Sequence, residues 1–571
     1  MRVTPAVCTT AFLTLLTAAA QSQVDSAELN ALKTQIAEQQ KRMAEQQKQI
    51  DRLISALENL ERSMTAPVNK DNAEPAAPRS RTLGEVASTR PFIPSLPVST
   101  VLATPAVNVA QPPAGPPRNP CEANPEGPAP AFIRLGSTCL VPIGFMDLTA
   151  VFRDKNAASS IGSNFGSIPY NNTVNGKLSE FRFSPQNSRI GFRVDGDWKG
   201  THFIGYNEFD FLGTSGSQAL TVTNGAFVPR LRLFWLDVRK GDWEFLGGQS
   251  WSMLTPNRNG ISALPGNLFY SQVIDVNYMA GLTWTRQPGM RVLYHGGPKV
   301  TLGLSAENPD QYIGGSGGGS TITPPAGFAA EVGSQLDNAP NISNPNTVLA
   351  VPTVHPDFIG KIAWDPNSRF HGEVAGIVRT FKTINPNNLA LAQRFTKTGG
   401  GVQVGLNGEI FKNFRLISTT YWSDGGGRYL FGQAPDLIIR SNGDLSLIHA
   451  GGTVDGFEAR VKNLLLYAYY GGIYIGRNRT IDTTAASGRP FVGFGYPGSP
   501  NSQNRTINEF TFGFNQTVWS SPRYGAINAM GQYEYLTRNP WFVAVNAPKN
   551  THDNTIYFNL RYTLPGGMPN F

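Results

Sequence analysis

Cysteine is nearly absent: only three occur in 571 residues, at positions 8, 121 and 139. That excludes a disulfide-dense scaffold and a four-cysteine metal site. Beyond the first twenty residues no run of eighteen apolar residues occurs, so no helix could cross a bilayer. Charge is scarce as well, with Asp, Glu, Lys and Arg making up 15% of the chain. The six histidines, His202, His295, His355, His371, His449 and His552, never fall in an HExxH spacing. No GxSxG is present. The run GGSGGGS at 314–320 lacks the strand, GK[ST] and helix of a phosphate loop and reads as flexible loop. These absences predict that the chain is not an enzyme, takes no cofactor or metal, and binds no nucleic acid.

What is present divides into four segments. Residues 1–20 carry Arg2 and then an apolar run from Ala6 to Ala20 ending in small residues, which predicts a secretory signal cleaved after Ala20. Within 21–64, Leu29, Leu32, Ile36, Gln39, Met43, Gln46, Ile50, Leu53, Leu57, Leu60 and Met64 keep a 3,4 spacing. That is an α-helical coiled-coil pattern, with Gln39 and Gln46 as polar core positions that fix register. A lone amphipathic helix with so narrow a seam would be marginal in water, so self-association is expected, with a trimer as the working choice. Residues 65–142 are rich in Pro, Ala, Val, Asn and Ser without apolar periodicity, which predicts an extended linker. After export Cys121 and Cys139 would be the two remaining cysteines, and a disulfide between them is expected.

From 143 to 571 the pattern changes to period two. Sixteen strands are expected, starting at or near Phe145, Ser188, Thr201, Arg230, Asp242, Arg291, Val300, Phe358, Phe370, Val402, Phe414, Phe457, Leu464, Asn508, Ala526 and Thr555. Short turns such as RKGD, GGPK, DPNS, FKN and VKN alternate with long Gly-, Asn- and Pro-rich connections. In the last strand Tyr557, Asn559, Arg561 and Thr563 alternate with Phe558, Leu560, Tyr562 and Leu564. A soluble sandwich would show the same alternation. The export signal, the even strand number and the loop asymmetry favour an all-β transmembrane barrel of the bacterial outer membrane. Trp243 and Phe245, just past the KGD turn, suit the aromatic girdle at the periplasmic interface.

Several stretches carry a family likeness: SRIGF at Ser188, YNEFDFLG at Tyr206, RLR at Arg230, GQSWS at Gly248, RQPGMR at Arg286 and SAENP at Ser305. In this order they resemble the DcaP-like trimeric outer-membrane porins, and they cover the first half of the barrel. The resemblance implies an N-terminal coiled coil ahead of a sixteen-stranded barrel, a homotrimer, and passage of small anionic solutes such as dicarboxylates.

From Ile143 onward there are 24 Arg and 11 Lys against 18 Asp and 10 Glu. Arginine stays charged and presents a donor fork matched to carboxylates. Alternation places Arg189 and Arg193 on one face, Arg230 and Arg232 on another, and adds Arg291 and Arg460; none can face lipid cheaply. The third long connection includes TPNRNGISALPGNLFYSQVID at 255–275. Folded inward, it would make Arg258 a constriction residue. These seven arginines are the expected channel lining, although pairing with Glu180, Glu208, Asp210, Glu244 or Glu458 would make any of them wall structure. The expected reading is a passive porin, with lipid, solutes and two further copies of the chain as partners. The alternative is an envelope tether whose periplasmic N-terminal segment grips the cell wall.

Overall fold

The computed structural model describes Lys41 and residues 132–565, apart from 137, 158, 214–226, 268–271, 316, 338–352, 392 and 522. The expected signal, almost all of the heptad segment, Cys121 and most of the Pro-rich stretch lie outside the described residues. The chain divides into two units, Met1–Ala103 and Thr104–Phe571, and the second is a closed antiparallel barrel.

Sixteen strands form the ring. They are β1 Thr138–Arg153, β2 Arg189–Trp198, β3 Thr201–Gly213, β4 Val228–Lys240, β5 Trp243–Trp251, β6 Arg286–His295, β7 Val300–Glu307 and β8 Asp357–Asn367. There follow β9 Phe370–Ile384, β10 Arg394–Phe411, β11 Phe414–Asp424, β12 His449–Val461, β13 Leu464–Ile475, β14 Asn504–Ser521, β15 Gly525–Pro540 and β16 Thr551–Thr563. Closure comes from β1 on β16, with Phe145 opposite Thr563 and Arg153 opposite Thr555. Every expected strand corresponds to one of these.

Three details differ from the expectation. β1 starts at Thr138, inside the expected linker, because Cys139, Val141 and Ile143 bury alternately while Pro142 points away from the lumen. The short strand Ile133–Leu135 pairs with that first part of β1, and Glu180–Ser184 pairs with its last part before β2 takes over the same edge. Short two-strand ribbons also decorate the long connections. Cys139 is disulfide-bonded; Cys121, its expected partner, is not among the described residues.

The turns at one end are tight. Lys199 (φ 49°) and Gly200 (φ 74°) both take positive φ, the geometry of a type I′ hairpin turn. The connections at the other end are long: L3 (252–285), L4 (308–356), L6 (425–448) and L7 (476–503).

Side chains sort by the pleat. Leu148, Phe152, Ile190, Phe192, Leu231, Phe234, Leu236, Phe558 and Leu560 face outward as an apolar belt. Trp243 and Phe245 also face outward, with Trp243 5.0 Å from Tyr294 across the strand pair. Phe558 lies near the middle of β16, opposite Ala150 and Gly531. Placing Arg there should cost about 2–4 kcal/mol if this face meets lipid. Urea titration of the protein folded in vesicles measures it, and a loss under about 0.5 kcal/mol would contradict a lipid-facing surface.

Inside, the long connections do not stay at the rim. Leu254 and Ile261 of L3, Ile313 and Phe328 of L4, and Tyr429, Leu437 and Ile438 of L6 are buried with wall residues Ile359, Ile377 and Ile473 in one apolar core. L4 is also tied to L7. Asp482 accepts the Ala326 N–H at 2.8 Å and the Thr484 hydroxyl at 2.6 Å. Burial pushes its carboxyl up, but the hydrogen bonds from Ala326, Thr484 and Ser441 outweigh it and hold the group below the ordinary range. A depressed carboxylate contributes stability above its unfolded value and loses it as pH falls. As pH falls through that lowered value the L4–L7 contact should therefore weaken, seen as loss of hydrogen-exchange protection at the Ala326 and Gly327 amides.

Candidate functional site: the lumen and its inward-folded third loop

L3 crosses the lumen. Its backbone donors find acceptors on the wall: Met253 N–H donates to Glu307 at 2.7 Å, Asn257 N–H to Glu373 at 3.1 Å, and Gly260 N–H to Asp365 at 3.0 Å. Further along, Gln272 N–H reaches Tyr469 at 3.2 Å and Ala280 N–H reaches Glu509 at 2.8 Å. Buried backbone groups need partners, and wall carboxylates on β7, β8, β9 and β14 supply them. Arg258 closes a two-pronged bond to Glu458 of β12, at 3.0 and 2.6 Å. These contacts bring the described residues of the 255–275 segment against the inner wall.

The expected arginines gather in two places. At the long-loop end, Arg230 pairs with Asp210 (3.0 and 2.7 Å), and Arg232 spans Glu208 (2.6 Å) and Asp210 (2.7 Å). Arg232 also donates to the Tyr278 hydroxyl of L3 at 3.2 Å. Arg189 stands 3.7 Å from Glu208. Arg230 keeps 41% of its side chain exposed, whereas Arg232 keeps 2%, so Arg232 is wall and Arg230 faces open space. Arg286, not foreseen, lies beside them over the Trp251 and Trp284 rings, 5.5 Å from each. Four guanidiniums thus face two carboxylates.

At the short-turn end, Arg258, Arg415 and Arg460 surround Glu458 closely enough for electrostatic interaction. Tyr469 adds a 2.7 Å hydrogen bond to the same carboxylate. Arg193 and Arg291 join neither group. Arg193 is closed off by Asp195 at 2.7 and 2.5 Å, and Arg291 donates to Ser250 and to the Trp251 carbonyl. Arg415 was open to the alternation rule that selects Arg460, since Phe414 and Leu416 bracket it. Arg286 was not, because it stands where β6 leaves L3 and no regular alternation precedes it.

The aromatic rings near β4 and β5 divide likewise. Trp243 and Phe245 face out, while Trp235 stacks on Tyr206 at 5.2 Å and Trp251 packs on Trp284 at 5.6 Å inside. A bulge produces the change of face. Arg232 and Leu233 are both buried, and Gly248 takes φ 134° where a Cβ would lie 2.4 Å from the Phe234 carbonyl oxygen.

The lumen is not uniformly basic. Asp275 of L3, Glu509 and Glu534 cluster on the β14–β15 side near Arg153. Among the described residues no group of His, Cys, Asp and Glu could hold a metal ion.

A closed sixteen-stranded barrel, short turns at one end and a third loop folded across the lumen can be compared with solved structures. The barrel shares its fold with a known outer-membrane channel. That channel is DcaP of Acinetobacter baumannii: TM-score 0.54, 17% identity, 76% of this chain and 99% of that one. An anion-selective porin of Comamonas acidovorans also matches, with TM-score 0.41 and 11% identity over 75% and 99%. So does OmpT of Vibrio cholerae, with TM-score 0.39 and 10% identity over 76% and 100%. No family model and no curated protein matches the sequence. The likeness to DcaP is one of fold, and the arginine sets above belong to this chain's own residues.

Proposed function

We propose that this chain is a passive porin of the bacterial outer membrane for small anionic solutes, dicarboxylates among them. It works as a homotrimer, with its N-terminal segment in the periplasm. One observation carries the reading: the lumen holds two arginine sets, one near each end, in which guanidiniums outnumber the carboxylates they share. Arg189, Arg230, Arg232 and Arg286 meet Glu208 and Asp210 at one end; Arg258, Arg415 and Arg460 meet Glu458 at the other.

The mechanism follows from electrostatics in a confined lumen. Fixed positive charge with low-dielectric walls raises the local anion concentration and repels cations. A carboxylate arriving at the loop end meets Arg230 and Arg286, passes L3, and meets the second set before the exit. Nothing is covalently changed, and steric filtering by L3 sets the size limit.

Purified protein in a planar bilayer under a salt gradient tests this. Three equal conductance steps, an anion-biased reversal potential and interruption of the current by a small dicarboxylate are expected. A cation-biased reversal potential would overturn the reading.

A further inference from the structure

We infer that the loop-end arginine set is a binding subsite for aromatic carboxylates, formed by Arg286 with the indole N–H groups of Trp251 and Trp284. The inference rests on the anion-channel reading and narrows it to a ligand class.

Three hydrogen-bond donors there have no partner among the described residues: Arg286 Nη1, Trp251 Nε1 and Trp284 Nε1. Trp251 is 3% exposed and Trp284 6%, so these indole donors are shut away from bulk water. Buried donors are almost always satisfied, and an orphaned group asks for an acceptor that the chain does not provide. Arg286 makes no ion pair among the described residues, yet it lies 5.5 Å from both indole rings. The rings are themselves 5.6 Å apart, so guanidinium and indoles form one cluster.

The chemistry of the set selects the ligand. Guanidinium and indole N–H groups donate and cannot accept. The nearby acceptors are already engaged: Glu208 by Arg232 and Tyr206, and Asp210 by Arg230 and Arg232. A sugar needs acceptors as well as donors, and the three orphaned groups offer donors alone. A carboxylate offers only acceptors. Around the donors stand aromatic faces rather than polar walls: Tyr278 packs 5.3 Å from Trp284, and Phe431 stacks on its other side at 4.9 Å. A flat aromatic body can use offset or edge-to-face contact with such rings, and a saturated one cannot. Partly exposed Arg286 and Arg230 mark the approach from the loop end.

Current interruption in a planar bilayer is the test, with benzoate, cyclohexanecarboxylate and acetate as probes on the full chain. Benzoate should interrupt the current at the lowest concentration. Arg286→Gln should weaken that effect by roughly tenfold or more, the value of one charge-assisted hydrogen bond. Trp284→Phe, which keeps an aromatic ring but removes the N–H together with the five-membered ring, should weaken it less but measurably, and it guards against misfolding of the arginine variant. Equal potency of benzoate and cyclohexanecarboxylate would overturn the aromatic class. Unchanged benzoate potency in both variants would overturn the site. Either result with an anion-biased reversal potential leaves the porin reading standing; a cation-biased reversal potential removes both.

Discussion

Replacing Arg379 by Met should destabilise the folded barrel by about 3–5 kcal/mol, the usual penalty for taking one partner from a buried ion pair. Arg379 sits on β9 with its side chain fully buried. Its guanidinium bonds Asp357 of β8 at 2.9 Å and Asp436 of L6 at 2.8 Å. It also donates to the carbonyls of Gly425 (2.6 Å) and Asp310 (2.8 Å), and so joins β8, β9, L4 and L6 through one group. The Phe381 and Tyr429 rings lie 4.9 and 5.5 Å from it. Methionine would fill much of the space and leave two carboxylates without their cation.

The pH dependence of that loss has a definite sign. Burial pushes the Asp436 carboxyl up to about 6, against the pull of Arg379 and Arg428. A group whose folded value lies above its unfolded one contributes stability in acid and loses it as pH rises through the folded value. Without Arg379 the charged form is worse still, so the variant's deficit should be larger at neutral pH than below about 6. Urea titration in vesicles at two pH values, read by gel mobility of folded and unfolded forms, measures both. A loss under about 1 kcal/mol at neutral pH would mean that water reaches the pair and that L6 is not held by it.

The contrast between Arg379 and Arg460 explains what the sequence made legible. Strand starts were readable because every second residue of a barrel strand is apolar and outward, as in Phe558 and Leu560, and the tight turns carry their own Gly and Asn signals. That alternation also placed Arg189, Arg193, Arg230, Arg232 and Arg460 inside. It failed where the pleat fails. The bulge at Arg232 and Leu233 and the positive φ of Gly248 turn Trp235 and Trp251 into the lumen, away from Trp243 and Phe245. Pairing was not readable at all, because it joins residues far apart in sequence: Arg258 finds Glu458 two hundred positions away. For the same reason the apolar core shared by L3, L4 and L6 left no periodic trace.

Glu458 and Arg258 offer the sharpest separation of charge from shape in the lumen. Their two-pronged bond ties this part of L3 to β12, alongside the backbone bonds of Asn257 to Glu373 and Gly260 to Asp365. Glu458→Gln and Arg258→Ala should each loosen that part of L3, and both should raise single-channel conductance if L3 narrows the path. Their charges change in opposite directions. Glu458→Gln removes the carboxylate that Arg258, Arg415 and Arg460 share, leaving Glu409 beside Arg415, so anion selectivity should rise. Arg258→Ala removes a cation and leaves Glu458 to offset the other two, so selectivity should fall. At about 1 M salt, where the screening length is about 3 Å, the selectivity difference should shrink while the conductance change persists. Reversal potentials in dilute and concentrated salt gradients measure the first effect, and current steps measure the second. Selectivity that moves the same way in both variants would mean that displacement of L3, and not the charge of this arginine set, governs which ions pass.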